Sequence, residues 1–436
     1  MTLSKKRLLV LAIATATGSP LALASQTDSN GFIEDGRLDF LTRNLYWNHD
    51  RKNGAEDRRE WGQAFRLDYR SGYTRGTVGF GVDASAYAAL KLDGGRGYSN
   101  AVMMPDDGKG GTESEASSAG AAVKMRISAT ELKYGNNLRP YNPVFAAADA
   151  RLVPGIATGL HLTSNELEGL SLEAAHLTAA KDFNSTNGDD DFHAAYAGVG
   201  TRTVNFLGGS YVVNDRFSFS LYGSEFEDIW RQYYANANYV YPINENQSLT
   251  FDFNLYKTDD EGRKLAGDID TTAYSLAAAW SVGAHTFKLA YQKNEGDTPF
   301  DYLGLGPGTF HDSIYLANSS QIVDFNGPNE KSWGLFYDLE LSRYGVPGLS
   351  IGARYIKGSD VDGGKMDAMS PYNYYGDKGS EEHWERGFDI RYAVQQGSAR
   401  GLSFRLRQAS HRIGNGASDI SSDQVRLIVE YPYQIF

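Results

Sequence analysis

Stretch after stretch of this sequence alternates apolar and polar residues with a period of two. Trp61, Phe65, Leu67 and Tyr69 alternate with Gly62, Ala64, Arg66 and Asp68, interrupted only at Gln63. Val78, Phe80, Val82 and Ala84 alternate with Thr77, Gly79, Gly81 and Asp83, and Leu249, Phe251, Phe253 and Leu255 with Thr250, Asp252, Asn254 and Tyr256. Near the end Leu402, Phe404 and Leu406 alternate with Ser403, Arg405 and Arg407. Successive side chains of a strand point to opposite faces, so each segment reads as a β-strand with one apolar and one polar face.

The connections sort into two sets. Short turns at 213–216, 243–247, 281–284 and 396–401 alternate with long polar segments near 92–119, 181–191, 294–330 and 358–382. Counting hairpins from Leu38 to Tyr433 gives about 18 strands joined by about eight short turns and nine long loops, the pattern of an up-and-down barrel. A barrel of that size is too wide for side chains to fill, so its apolar alternates face lipid and its polar ones face a wet lumen. Lys124, Arg126, Lys288, Arg354, Arg391, Arg405, Arg407 and Arg426 all sit in strand-like runs, where unpaired burial in a dry core would be very costly. Water on their side removes that cost. The expected fold is therefore all-β, an 18-stranded antiparallel transmembrane barrel with constriction loops folded inward.

Composition fits this reading. The chain has 28 Tyr, 21 Phe and 6 Trp, enough for aromatic girdles at both membrane interfaces, and Tyr69, Tyr87, Trp230, Tyr233, Tyr239, Tyr241, Trp280 and Trp333 lie near strand ends where girdles form, packing under a loop being the equal alternative for any single ring. The absence of Cys excludes a disulfide scaffold, a thiolate metal site and a cysteine nucleophile. Lys5, Lys6 and Arg7 precede the apolar run 8–15, and Ala22-Leu23-Ala24 forms a small-x-small cleavage site before Ser25. Residues 1–24 thus read as a secretory signal peptide and 25–436 as one outer-membrane barrel domain. Removing the three signal charges takes the formal net charge from −12 to −15, which makes nucleic acid an unfavourable partner.

Enzyme motifs are missing: there is no Gly-x-Ser-x-Gly elbow, His-Glu-x-x-His, phosphate loop or EF-hand, and the eight His are scattered. The expectation is a channel with no cofactor and no metal, its acidic runs at 189–191 and 259–261 being solvated or lipopolysaccharide-facing loops bridged by divalent ions, with a Ca²⁺ site as the alternative. Arg126, Arg391, Arg405, Arg407 and Arg426 on lumen-phase positions would offer a solute carboxylate successive bidentate partners, with Lys124 and Arg354 beside them. The alternative for each is an arginine that braces a folded-in loop. Arg139, Tyr141, Asp149 and Arg151 lie in a stiff proline-rich segment, 139–154, suited to fold inward. A third constellation, Asp312, Ser313, Tyr315 and Asp324, offers carboxylate and hydroxyl groups for an ammonium opposite the arginines.

At these residues the sequence resembles the OprD-type substrate-specific outer-membrane porins of Pseudomonas and relatives. The resemblance is carried by Gly31-Phe32-Ile33-Glu34-Asp35, Ala122-Val123-Lys124-Met125-Arg126-Ile127-Ser128, Leu162-Thr163-Ser164-Asn165-Glu166, Ser313-Ile314-Tyr315-Leu316-Ala317-Asn318-Ser319, Asp324-Phe325-Asn326-Gly327-Pro328 and Leu402-Ser403-Phe404-Arg405-Leu406-Arg407, in one order along the chain. It implies a monomeric barrel in the bacterial outer membrane, in contact with lipid and lipopolysaccharide, that passively admits small anionic or zwitterionic solutes. One branch of the family prefers basic amino acids and peptides and admits carbapenems; another prefers organic and aromatic carboxylates. The reading taken from the sequence is the carboxylate branch, with the basic amino-acid branch or a general diffusion porin as alternatives.

Overall fold

Each alternating segment finds a partner on both of its edges. The computed structural model describes residues 25–436 apart from 53, 55, 95–102, 305–312, 376–380 and 416–420, so the segment 1–24, expected from the sequence to be an export signal, lies outside the described residues. The first nine strands are β1 (Arg37–Arg51), β2 (Arg58–Arg70), β3 (Val78–Asp93), β4 (Glu115–Ile127), β5 (Thr130–Leu138), β6 (Ile156–Ser164), β7 (Leu170–Lys181), β8 (Val204–Asn214) and β9 (Phe217–Phe226). The other nine are β10 (Trp230–Asn244), β11 (Gln247–Asp260), β12 (Asp270–Val282), β13 (His285–Glu295), β14 (Lys331–Glu340), β15 (Leu349–Val361), β16 (Glu381–Ala393), β17 (Ser403–Asn415) and β18 (Ser422–Gln434). Neighbours in sequence pair antiparallel throughout, and β18 pairs with β1 from Asp39↔Gln434 to Arg51↔Ser422. That last pairing closes an 18-stranded barrel and leaves the sheet no edge. The chain end continues the seam, with Leu38 N–H donating to the Phe436 carbonyl at 3.2 Å.

Lipid-phase side chains are exposed and largely apolar: Phe80, Val123, Leu207, Leu221, Leu276, Leu335 and Phe388 all project outward. Gln63 also projects outward. It does not stand bare in lipid, because its amide donates to Thr42 Oγ1 at 2.6 Å while its Oε1 accepts from Asn44, whose own Oδ1 accepts from the Trp61 indole at 2.9 Å. A closed polar patch of this kind satisfies every member that hydrocarbon could not.

Two expectations are corrected here. Tyr87 and Trp230 are not girdle residues. Both are buried inside the barrel, Tyr87 donating its hydroxyl to Asp68 at 2.6 Å and Trp230 packing on Phe226 at 5.1 Å between ring centroids. The sorting of connections is also less regular than the sequence implied: at the long-loop end, 52–57, 227–229 and 261–269 are short. Parts of the long loops fold inside. Residues 139–155 carry Phe145, Ala148 and Leu152, all fully buried, and the strands Phe192–Ala194, Gly200–Thr201 and Leu303–Gly304 form a small sheet joining two loops. They pack on apolar lumen-phase residues such as Leu45, Trp47, Phe206 and Tyr256. Burying each such side chain contributes about 1.5–3 kcal/mol, which holds the loops in the lumen.

Below, the first described residues latch onto the short turns. Gln26 N–H donates to Ser128 O at 2.8 Å, and its amide donates to Thr74 O and Gly76 O.

Candidate functional site

The antiparallel register stacks the basic side chains into levels on one arc of wall, β15 to β2. His49 faces Gln424; one level down, Arg407 faces both Asp389 and Arg426; next, Arg391 faces Arg405; below them Arg43 faces Glu430. Each level is two residues along a strand, about 7 Å.

A single carboxylate organises the middle of this arc. Asp389 accepts from Arg391 Nε at 3.0 Å and from Arg405 Nη2 at 2.5 Å, with Arg407 Nε 3.4 Å away. One negative charge among three guanidinium groups fixes their spacing and leaves an excess of positive charge. Arg391, with half its side chain exposed, and Arg405, with a third, present that excess to the lumen.

The other predicted basic residues have different surroundings. Arg354 Nη2 lies 3.3 Å from Gln321 Oε1 and 3.4 Å from Glu385, and Arg426 donates to Gln424 at 2.7 Å and to Gln321 O at 3.2 Å. Both brace the loop 313–330. Lys124 and Arg126 are not brought to the arc at all: Lys124 is buried on Asp83 at 2.6 Å, and Arg126 lies over the Tyr73 ring at 4.0 Å and donates to Gln26 at 3.1 Å under the N-terminal latch.

Loop 313–330 is clamped by a residue the sequence did not single out. Glu385, fully buried on β16, accepts the backbone N–H groups of Gln321, Ile322 and Val323 at 3.0–3.1 Å and the Ser320 hydroxyl at 2.6 Å. Farther along the loop, Glu330 Oε1 accepts from or pairs with His383 at 2.7 Å, and His383 meets His411 at 2.8 Å, so two histidines that look isolated in sequence stand in one chain. Gly358 permits this approach: a Cβ there would come within 2.2 Å of Glu330 and 2.6 Å of His383.

The predicted loop residues divide in the same way. Ser313 is buried and donates to Leu303 O at 3.2 Å, and Asp312 lies outside the described residues. The rings of Tyr141 and Tyr315 meet at 6.5 Å, joining the two inward loops. Arg139 reaches Asp68 at 3.2 Å, while Arg151 is buried between the rings of Trp47 and Phe183. Asp149 is bound bidentately by Arg66 at 2.7 and 2.9 Å and by Arg43 at 2.9 Å. Desolvation pushes its carboxyl up, but Arg43 and Arg66 outweigh that and hold it at about 2. Neither Arg43 nor Arg66 was predicted, although both share the lumen phase of their strands.

A depressed carboxyl stabilises the fold above its unfolded value near 4, and that contribution is lost as pH falls toward about 2. Asp149→Asn is accordingly expected to lower the midpoint of heat-induced unfolding in detergent at pH 5–8, with the gap from wild type closing between about pH 4 and pH 2.

Asp324 is an acidic residue of the inward loop 313–330. Nearly fully buried, it accepts from Tyr196 at 2.8 Å, Tyr302 at 2.6 Å and Ser319 at 2.5 Å. Burial raises its carboxyl above the usual range, against the pull of these three hydroxyls.

A closed barrel of 18 strands, with inward loops and a basic wall facing an acidic loop, defines a solute-selective channel of the outer-membrane porin class. Comparison with known proteins makes this specific: the model of the OprD family of outer membrane porins matches residues 30–435, and the chain belongs to that family. It is 49% identical over 435 residues to Porin D of Pseudomonas aeruginosa, covering 98% of each chain. The crystal structure of Pseudomonas aeruginosa OprD superposes with a TM-score of 0.84 at 49% identity, over 95% of this chain and 99% of that one. The structure of Pseudomonas aeruginosa OpdK with vanillate gives 0.81 at 31% identity, over 93% and 100%. The protein is thus a substrate-specific porin of the bacterial outer membrane, and not an enzyme.

Proposed function

We propose that this channel takes up basic amino acids and small peptides containing them, and that it works as a monomer. The observation that carries the reading is the placement of opposite charges around one cavity: Arg51 and Arg58 line it from the wall and Asp324 from the loop. A carboxylate is drawn to the guanidinium side, where Arg391, Arg405 and Arg407 continue the path, and a cationic end is drawn toward Asp324. The simple carboxylate preference read from the sequence gives way because the arginine arc serves any carboxylate and does not choose among them. The acidic loop residue does. The higher identity to Porin D than to the vanillate-bound OpdK supports the same branch.

Asp324→Asn keeps one carbonyl acceptor, for the two tyrosine hydroxyls, replaces the oxygen facing Ser319 with an amide donor, and removes the charge. In liposome-swelling assays it is expected to lower the arginine-to-benzoate uptake ratio by about fivefold or more, the scale of one charge–charge contact of ~1 kcal/mol. An unchanged ratio would count against the reading.

A further inference from the structure

At the head of the arginine arc stands a buried imidazole whose nitrogens no described residue engages. His49 is only 8% exposed, and neither of its ring nitrogens finds a hydrogen-bond partner among the described residues. Leaving a buried donor and acceptor unmade is expensive, so such a group is normally matched by something that arrives from solution. The ring is held in place: Trp47, the next lumen-phase residue, packs against it edge-on at 5.4 Å between centroids. Its cross-strand partner is Arg58, and the charges of Arg51 and Arg426 also act on it.

His49 borders the cavity described above, whose volume is about 280 Å³, near the low end of the roughly 300–1,000 Å³ usual for small-molecule sites. The opposite side is formed by Ile322, Val323, Asp324 and Phe325 of the clamped loop. The cavity thus offers cationic groups, an imidazole, a carboxylate and an apolar surface. Arg407 and Arg426 lie one level below.

We propose that His49 contacts the solute directly, donating an imidazole N–H to its carboxylate in this cavity before the carboxylate passes to the arginine arc. This rests on the amino-acid reading for the choice of solute, and it adds a specificity residue that a ladder of arginines does not supply.

The test compares arginine with agmatine, which is arginine without its carboxylate, in planar bilayers containing the full channel. His49→Phe keeps ring volume and removes both nitrogens; it is expected to weaken arginine binding, read from current block, by about tenfold relative to agmatine, the loss of one hydrogen bond to a charged group. His49→Gln, which restores a donor, is expected to recover most of the difference. A purely structural role would shift both solutes together. If His49→Phe leaves the arginine-to-agmatine ratio at the wild-type value, the imidazole is matched by bound water alone and the proposal is overturned. Should the Phe variant fail to assemble, His49→Leu gives the same reading. If wild-type channels show no saturation with arginine, the amino-acid reading fails separately; benzoate then replaces arginine, and a tenfold loss upholds the His49 contact while no loss overturns it.

Discussion

Replacing Glu385 by alanine is expected to open the channel without unfolding the barrel. Three backbone N–H groups and the Ser320 hydroxyl would lose their common acceptor, and Arg354 would lose its carboxylate neighbour. An unsatisfied buried donor costs about 1–3 kcal/mol, so the segment 320–323 gains more by leaving the wall for water than by staying docked. The strand ladders do not depend on this clamp, and the closed sheet persists. Single-channel conductance in KCl is expected to rise about twofold or more while discrimination between amino acids and neutral sugars falls, the behaviour of a pore whose constriction has lifted. Glu385→Gln, which retains one carbonyl acceptor, should fall between alanine and wild type. Wild-type conductance and selectivity in Glu385→Ala would show that the loop is held by its apolar packing instead.

The second large effect is expected from the double substitution Arg391→Ala with Arg405→Ala. These are the two most exposed guanidinium groups on Asp389, and their removal strips the passage of its bidentate partners while leaving that carboxylate with Arg407 alone. Hydrogen bonds to charged groups contribute about 1.5–3 kcal/mol, so uptake of arginine and of benzoate at low concentration should each drop about tenfold or more. Neutral sugar uptake should change by less than about twofold, since it depends on pore width. Paired lysines are expected to restore only part of the rate, because an ammonium keeps the charge and lacks the planar fork. Adding Asp389→Asn to the double variant separates the lost guanidinium groups from the newly uncompensated carboxylate.

Much of the barrel was legible in the sequence because side-chain phase is a local property. Trp61, Phe65, Leu67, Phe80 and Phe251 read as outward and are outward. Phase alone could not tell lipid from a folded-in loop, and for that reason Tyr87 and Trp230 read as girdle residues although they pack inside. The acidic partners were harder to see. Asp389 and Glu385 share the lumen phase of Arg391, and following that phase backward along β16 would have met both. What no local pattern carries is that Glu385 faces the backbone of residues more than 60 positions away, or that Asp149 is met by Arg43 and Arg66. Those meetings follow from barrel closure and loop infolding. Lys124 and Arg126 show the converse, lumen-phase cations that the N-terminal segment and Asp83 occupy before any solute could.

The central claim is that one lumen selects solutes bearing both a carboxylate and a cationic end. Concentration-dependent current block by arginine, benzoate and a neutral sugar, measured on wild-type protein in planar bilayers, tests it most directly. The account predicts saturation with arginine at a lower concentration than with benzoate, and none with the sugar. Equal responses to all three, or tighter block by benzoate than by arginine, would contradict it.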